Sequence, residues 1–91
     1  MSYGAGIVFS NTAVTSVSGA SGVVSTNSHT KCIHFYNTDA TTNATVKLNG
    51  GPHQVVVPAV NSGGGYVAIE GDYTSFQVMT ASVTLSVYAV A

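Results

Sequence analysis

The chain has 91 residues, and five of them are fully charged at neutral pH, two lysines and three carboxylates, which gives a net charge of −1. A folded domain of this size exposes about 5,000 Å² of surface, on which soluble domains normally place several times more charge. We therefore expect a surface wetted by Ser, Thr, Asn and Gly or covered by other protein, and no nucleic-acid partner, because phosphate binding needs clustered cations.

The sequence also indicates the cellular compartment in which the chain folds. The first six residues contain neither a basic segment nor a long apolar one, and no run of about eighteen apolar residues occurs, so we expect no secretory signal, no membrane span and no membrane partner. The lone cysteine, Cys32, cannot form an intrachain disulfide. We therefore expect folding in a reducing cytosol, with stability supplied by packing or by oligomerisation.

Residues 1–29 leave two alternatives open. The apolar runs 7–10 and 13–17 can each form a strand, and the Gly/Ser-rich stretch 18–22 is typical of a linker. The segment has too few bulky side chains for a core of its own. It must pack on the rest of the chain or on a neighbour, either as an N-terminal arm or as the first strands.

From residue 30 onward, short apolar runs alternate with turn residues. Strands are predicted at 31–36, 44–49, 54–57 and 66–70, around residues 76–78, and at 82–90. The segment 37–43 is predicted to be a turn whose Asn and Asp side chains bond the backbone, and 61–65 a flexible loop. The sequence predicts an all-β core at 30–91: a small antiparallel β-sandwich or jelly-roll-like domain with six to eight short strands and no helix of consequence.

Alternation along the predicted strands separates inward from outward residues. Phe35 is predicted to face inward, which turns His34 and Tyr36 outward, and Tyr66 and Tyr88 likewise oppose the inward residues of their strands. Outward tyrosines suit an interface or a sugar platform, and they equally suit edge covering and cross-strand pairing. The interface or ligand candidates are Tyr36, Tyr66, Tyr88 and His34.

Residues that could hold a metal are few. Cys32 and His34 lie two apart and point the same way, but a structural zinc site takes four ligands and only His29 and His53 remain. A homotrimer could bring three copies of His34 to an axis. We therefore expect Cys32 to be a small buried hydrophobic residue and His34 to be a hydrogen-bonded residue of the surface or an interface, with no metal and no cofactor bound.

Catalytic patterns are equally sparse. Glu70 and Asp72 flank Gly71 as turn acids, without the Asp-x-Asp-x-Asp loop of a calcium site. The serines lack a Gly-x-Ser-x-Gly elbow, and the glycine runs precede strands rather than a helix, so they are not phosphate loops. We expect a protein that is not an enzyme.

The edge strands of the predicted sheets have almost no charged side chains that would hinder pairing with another chain. Val-rich strands such as 54–57 would invite strand addition if their edges stayed open. The sequence therefore predicts a stable oligomer, with a homotrimer as the expected form.

Five segments follow one another in a recognisable order: CIHFYNTD at 32–39, TVKLN at 45–49, VVVPA at 55–59, VAIEG at 67–71 and VTLSVYAV at 83–90. An aromatic strand ending in Asn-Thr, a Val-rich hairpin, a Pro-Ala turn and a final strand closing in Tyr-Ala-Val resemble small virion proteins of tailed bacteriophages, over roughly two-thirds of the chain. The resemblance implies a capsid decoration or cement protein, or a small head or tail appendage, without catalytic residues. It would be made in the host cytoplasm and sit on the capsid surface, with its own copies and the major capsid protein as partners.

A binding module is the alternative function. In a glycan- or receptor-binding β-sandwich on a virion head or tail appendage, Tyr36, Tyr66 or Tyr88 would stack on sugar rings. Asn and Asp from the turns would bond the sugar hydroxyls.

Overall fold

A computed structural model describes residues 7–17, 19–26 and 28–91, so the expected signal-free start at 1–6 and residue 18 of the expected linker lie outside the described residues. The described chain is almost entirely β, as predicted. Its elements are β1 (Ile7–Ser16), β2 (Val24–Ser25), β3 (Cys32–Asn37), β4 (Ala44–Leu48), β5 (Gln54–Val57), α1 (Val60–Gly63), β6 (Tyr66–Glu70), β7 (Ser75–Val78) and β8 (Val83–Val90).

The strands form two four-stranded antiparallel sheets. The first sheet has the order β1-β8-β3-β6 and the second the order β2-β7-β4-β5. The pairs β1 with β8, β2 with β7, β3 with β6 and β4 with β5 show that the first four strands run back along the last four. This is a rolled-up antiparallel ribbon with its tip at the turn between β4 and β5. The predicted jelly-roll-like sandwich is confirmed.

The core lies between the two sheets. Every second residue of β3, β4, β7 and β8 is buried, which is the alternation expected of sheets with one solvated face. Valine is the commonest residue at these inward positions, and Phe35 and Phe76 are the largest of the fully buried side chains. The buried apolar cluster comprises Val14, Ile33, Phe35, Ala44, Val46, Leu48, Val57, Phe76, Val78, Val83, Leu85, Val87 and Ala89.

The N-terminal segment contributes a strand to each sheet. The two runs predicted at 7–10 and 13–17 are one continuous strand, β1, which pairs with β8 through register shifts between Ile7 and Phe9 and between Phe9 and Thr12. Such irregularities accommodate an extra residue without ending a strand. Residues 11–12, which separated the two predicted strands, therefore lie within β1, and β2 joins the second sheet beside β7.

The glycine-rich segment after Pro58, predicted to be a flexible loop, starts with the one-turn helix α1. Its start is bonded to the loop after β3: the Val60 N–H donates to the Asp39 carbonyl at 3.0 Å, and Asn43 Oδ1 accepts from the Ala59 N–H at 2.8 Å. These partners lie far away in the sequence. Local turn propensity therefore could not reveal them.

The loop after β3 is organised by two side chains. The buried Asn37 donates from Nδ2 to the carbonyls of Thr42 (2.8 Å) and Val57 (3.2 Å), so it ties β3 of the first sheet to β5 of the second. Asp39 Oδ1 accepts from the N–H groups of Thr41 and Thr42, and these bonds hold the pKa of the Asp39 carboxyl below its usual value. The predicted side-chain-to-backbone turn is confirmed.

Candidate functional site

The four candidate side chains His34, Tyr36, Tyr66 and Tyr88 meet on the outer face of the first sheet, and we call this cluster the aromatic ladder. The register of β3 with β8 places Tyr88 opposite His34, and the register of β3 with β6 places Tyr66 opposite Tyr36. Alternation turns His34 and Tyr36 outward because Ile33 and Phe35 are buried. The central strand thus supplies two rings and each neighbour supplies one.

The rings of the aromatic ladder stack across the strands. His34 and Tyr88 are 4.3 Å apart between centroids with planes 6° apart, and Tyr36 and Tyr66 are 4.5 Å apart at 35°. The diagonal pairs, His34 with Tyr66 and Tyr36 with Tyr88, are 6.0 and 6.4 Å apart at 20° and 19°. The opposed rings thus follow the spacing of adjacent strands. Both rings of β3 have neighbours on either side, whereas Tyr66 and Tyr88 end the stack.

Two polar groups of the aromatic ladder lie within hydrogen-bonding distance of each other. His34 Nδ1 and Tyr66 Oη are 2.6 Å apart. Burial, followed by the proximity of Tyr36, raises the pKa of both Tyr66 and Tyr88 above the usual 10.0. Their hydroxyls therefore stay protonated through the neutral range and can both donate and accept.

The ladder remains accessible although its rings cover one another. Tyr36 is 42% exposed and Tyr66 41% exposed, and both are among the large apolar side chains that the fold leaves open. His34 and Tyr88 are half-buried. The cluster therefore presents a surface of ring edges and hydroxyls in which each ring lies against its neighbours.

Cys32 lies on the same face, two residues before His34, and faces Glu70 of β6 and Val90 of β8. The thiol is half-buried. Burial and then the nearby Glu70 carboxylate raise the pKa of Cys32, so the thiol is neutral at physiological pH. A neutral thiol is a poor nucleophile and a poor metal ligand.

The other titratable candidates do not join the aromatic ladder. His29 Nδ1 lies 2.7 Å from Asp72 Oδ1 in an exposed pair, and His53 is exposed in the turn between β4 and β5. Across residues 7–17, 19–26 and 28–91, no three His, Cys, Asp or Glu side chains come together as a metal site would require. The surface of this part of the chain has no pocket.

Within the described residues, no helix has the length and apolar character needed to cross a membrane.

The outer face of the second sheet has a different character. Thr45 and Lys47 of β4 lie beside Val56 and Gln54 of the edge strand β5, and Gln77 of β7 lies beside Lys47. No aromatic ring lies at these positions. Val56, at 54% exposed, is the main apolar side chain among them.

Sequence reasoning selected the four ring residues but not their adjacency. Their contact depends on β3 lying between β8 and β6, whose sequence positions are far apart. The outward tyrosines were the available signal. No signal in the sequence indicated that His34 would lie beside Tyr88 and Tyr66.

Comparison with known proteins shows the fold alone. No family model and no curated protein matches the sequence. Among solved structures, the exo-β-1,3-galactanase from Phanerochaete chrysosporium, determined with galactose, is similar with a TM-score of 0.52 and 19% identity. The match covers 96% of this chain and 27% of the galactanase chain, so the protein spans about a quarter of that enzyme's length.

Proposed function

We propose that the protein is a non-enzymatic structural protein of a virion, a decoration or cement protein that associates with its own copies and binds the major capsid protein to stabilise the shell. The observation that carries the proposal is the aromatic ladder, a stacked surface that includes no lysine, arginine or carboxylate and has two tyrosines more than 40% exposed. Tyrosine is enriched at protein interfaces, where its ring supplies contact area at little cost in side-chain entropy.

The scarcity of charge supports the same role. Charged groups buried between a decoration protein and a shell would have to be stripped of water, whereas a Thr, Ser and Tyr surface carries a smaller desolvation cost. Five charges on 91 residues leave most of this surface free of that cost. Weak contacts repeated around a symmetric shell then act together.

The jelly-roll strand order is a second support. This architecture recurs in viral capsid domains and also in lectins. It fits a particle component and a carbohydrate-binding module alike. The choice between them therefore depends on the outer face of the first sheet rather than on the fold.

Particles purified from the phage that carries the gene test the proposal directly. We expect the protein on them in many copies, and particles lacking it should be less resistant to heat and low salt. Tyr36→Ala and Tyr66→Ala should each weaken binding to stripped particles by about thirtyfold, because truncating an interface anchor costs about 2 kcal/mol or more. Thr45→Ala, on the outer face of the second sheet, is the matched control and should bind as wild type.

Two results would contradict the proposal: absence of the protein from purified particles, or equal stability of particles with and without it. Light scattering of the purified protein measures self-association, and the homotrimer predicted from the sequence would give a mass of three copies. A monomeric mass across the micromolar range would contradict self-association.

A glycan- or receptor-binding module is the second candidate, favoured by the position of Tyr66. It lies at the end of the aromatic ladder on an edge strand and is 41% exposed, so its ring is open for stacking on a sugar. The galactanase of similar fold was determined with galactose. A glycan array that includes β-1,3-linked galactose oligomers tests this function. Specific binding that Tyr66→Ala abolishes and Val56→Ala preserves would favour it over the cement role.

A further inference from the structure

The two described sheets have four edge strands, and three of them have a feature that hinders pairing with another chain. In β1 two shifts break the register in the first half of the strand, although residues 12–16 are regular, and β2 is only two residues long. The four-residue β5 ends at Pro58, which has no N–H to offer. Irregular register, short length and proline are the ways in which soluble proteins guard sheet edges.

The remaining edge strand, β6, has none of these guards. Its five residues pair with β3 in unbroken register from Tyr66 to Glu70. They include no lysine and no proline, and both Val67 and Ile69 are half-buried on the inner face. The edge of β6 is therefore regular, open and partly apolar, which favours addition of a further strand.

The hydrogen bonds that flank β6 identify the groups left open. The Asn37 N–H donates to the Gly65 carbonyl at 2.6 Å, and the Gly71 N–H donates to the Lys31 carbonyl at 2.8 Å. Because bonding alternates along an antiparallel pair, the odd-numbered residues 65–71 bond towards β3. The even-numbered residues Tyr66, Ala68 and Glu70 then direct their N–H and C=O groups to the open edge.

We propose that β6 pairs with β6 of a second copy, antiparallel about a twofold axis at Ala68. In this register Ala68 faces Ala68 of the second copy, and Tyr66 faces Glu70. These are the residues whose backbone groups point outward, so each pair can exchange both of its backbone hydrogen bonds. Tyr73 Oη already donates to the Glu70 carbonyl at 3.2 Å, but a carbonyl oxygen accepts two bonds.

The side chains of β6 are self-complementary in this register. Glu70, the strand's one charged residue, meets a tyrosine and not another carboxylate, so no like charges face each other. On the inner face Val67 meets Ile69 of the second copy, which completes the burial of two half-buried side chains. The small Ala68 at the axis allows close approach. An isologous twofold contact requires this kind of self-complementarity.

Pairing through β6 would join the first sheets of two copies into one eight-stranded sheet. Both aromatic ladders would then lie on the same face, on either side of the axis. The contact does not depend on the virion role proposed above. It closes at two copies, so it competes with the homotrimer expected from the sequence, and a mass measurement separates the two.

Sedimentation equilibrium of the full chain, with Ala68→Lys and Val56→Lys variants, tests the contact. The wild type should be a dimer, and Ala68→Lys should weaken association by about a hundredfold, because two like charges would meet at the axis. Val56→Lys puts the same charge on the four-residue edge strand of the second sheet, β5, and should remain dimeric. A wild-type mass of one or three copies, an unchanged Ala68→Lys dimer, or dissociation by Val56→Lys would overturn the proposal.

A cross-link checks the register without relying on a charged variant. With Cys32→Ser to remove the native thiol, Ala68→Cys should give a covalent dimer with a short bifunctional thiol reagent, and Val56→Cys should give none. Efficient cross-linking through position 56, or none through position 68, would overturn the β6 contact. A cross-linked dimer on a protein that fails to bind particles would leave the contact standing while the cement role falls.

Discussion

The described residues form two aromatic clusters, on opposite faces of β3, and the clusters pack in different ways. Inside, Phe9, Phe35 and Phe76 form a phenyl cluster in which Phe76 lies 5.8 Å from Phe9 and 5.6 Å from Phe35, with ring planes 88° and 82° apart. Outside, the rings of the aromatic ladder are nearly parallel, down to 6° for His34 and Tyr88. β3 contributes Phe35 to one cluster and Tyr36 to the other.

The difference follows from where the partner rings come from. Phe76 reaches Phe9 and Phe35 from the opposite sheet, across about 10 Å, and rings that interdigitate from facing layers fill space best edge to face. The ladder rings come from adjacent strands of one sheet, about 4.8 Å apart, which brings neighbouring faces together. Layer geometry therefore buries one cluster in the core and leaves the other, with its hydroxyls, on the surface, where we propose that it serves recognition.

The largest effect that separates the two clusters is on stability. Phe35→Ala should lower the free energy of unfolding by about 3–5 kcal/mol, because Phe35 is fully buried and its removal leaves a cavity between the sheets. Tyr36→Ala, one residue further along β3, should cost about 1 kcal/mol or less. Urea unfolding of both variants measures the difference.

Phe35→Ala could consume most of the stability of so small a domain, so Ile33→Val provides a milder measurement at a neighbouring buried position. It should cost about 0.5–1.5 kcal/mol. Equal losses for Phe35→Ala and Tyr36→Ala would mean that the ladder is as important to the fold as the core, and would remove its assignment to recognition.

A smaller effect should appear in the coupling between ladder rings. A double-mutant cycle with His34→Ala and Tyr88→Ala should give an interaction energy of about 0.2–1 kcal/mol, the range for directly opposed cross-strand pairs. The cycle with Thr15→Ala and Thr84→Ala, an exposed cross-strand pair whose hydroxyls are 2.9 Å apart, is a reference without aromatic rings. Zero coupling between His34 and Tyr88 would mean that the stack contributes nothing to its own order.

The smallest expected effect is on alkaline stability. The pKa values of Tyr66 and Tyr88 are raised in the folded protein, so the contribution of their neutral hydroxyls is complete below about pH 10 and is lost as the pH rises through the raised values. Tyr66→Phe with Tyr88→Phe should make the decline in melting temperature between pH 9 and pH 11 shallower (roughly the window set by the tyrosine pKa). An unchanged decline would show that the ladder does not couple to folding through these protons.

The sequence predicted whether a strand residue faces inward or outward better than it predicted which strands are adjacent in the sheets. Strict alternation in the predicted strands 82–90 and 31–36 identified Leu85, Val87 and Phe35 as inward and Tyr36 and Tyr88 as outward, because period-two patterning depends on each strand alone. The strand order, which brings Tyr88, His34 and Tyr66 together, depends on how the two sheets share the chain. Local sequence carries no signal for that.

Two local predictions failed for a related reason. The runs 7–10 and 13–17 were predicted to be separate strands, yet residues 7–16 form the single strand β1 because pairing with β8 outweighs local propensity. The Gly-rich segment after Pro58 begins as a helix because Asp39 and Asn43, from a distant loop, bond its first backbone groups. In both cases a tertiary contact overrode the preference of the residues themselves.

The nested pairing of the strands has a consequence for how the chain reaches this structure. The β4–β5 pair closes a loop of only a few residues, whereas β1 must find β8 across most of the chain, with Thr15 opposite Thr84. The entropic cost of closing a loop rises with its length, so each inner pair shortens the effective loop for the next one out. We expect assembly to proceed as a zipper from the central hairpin outward, with the meeting of the two terminal strands as the late, slow step of folding.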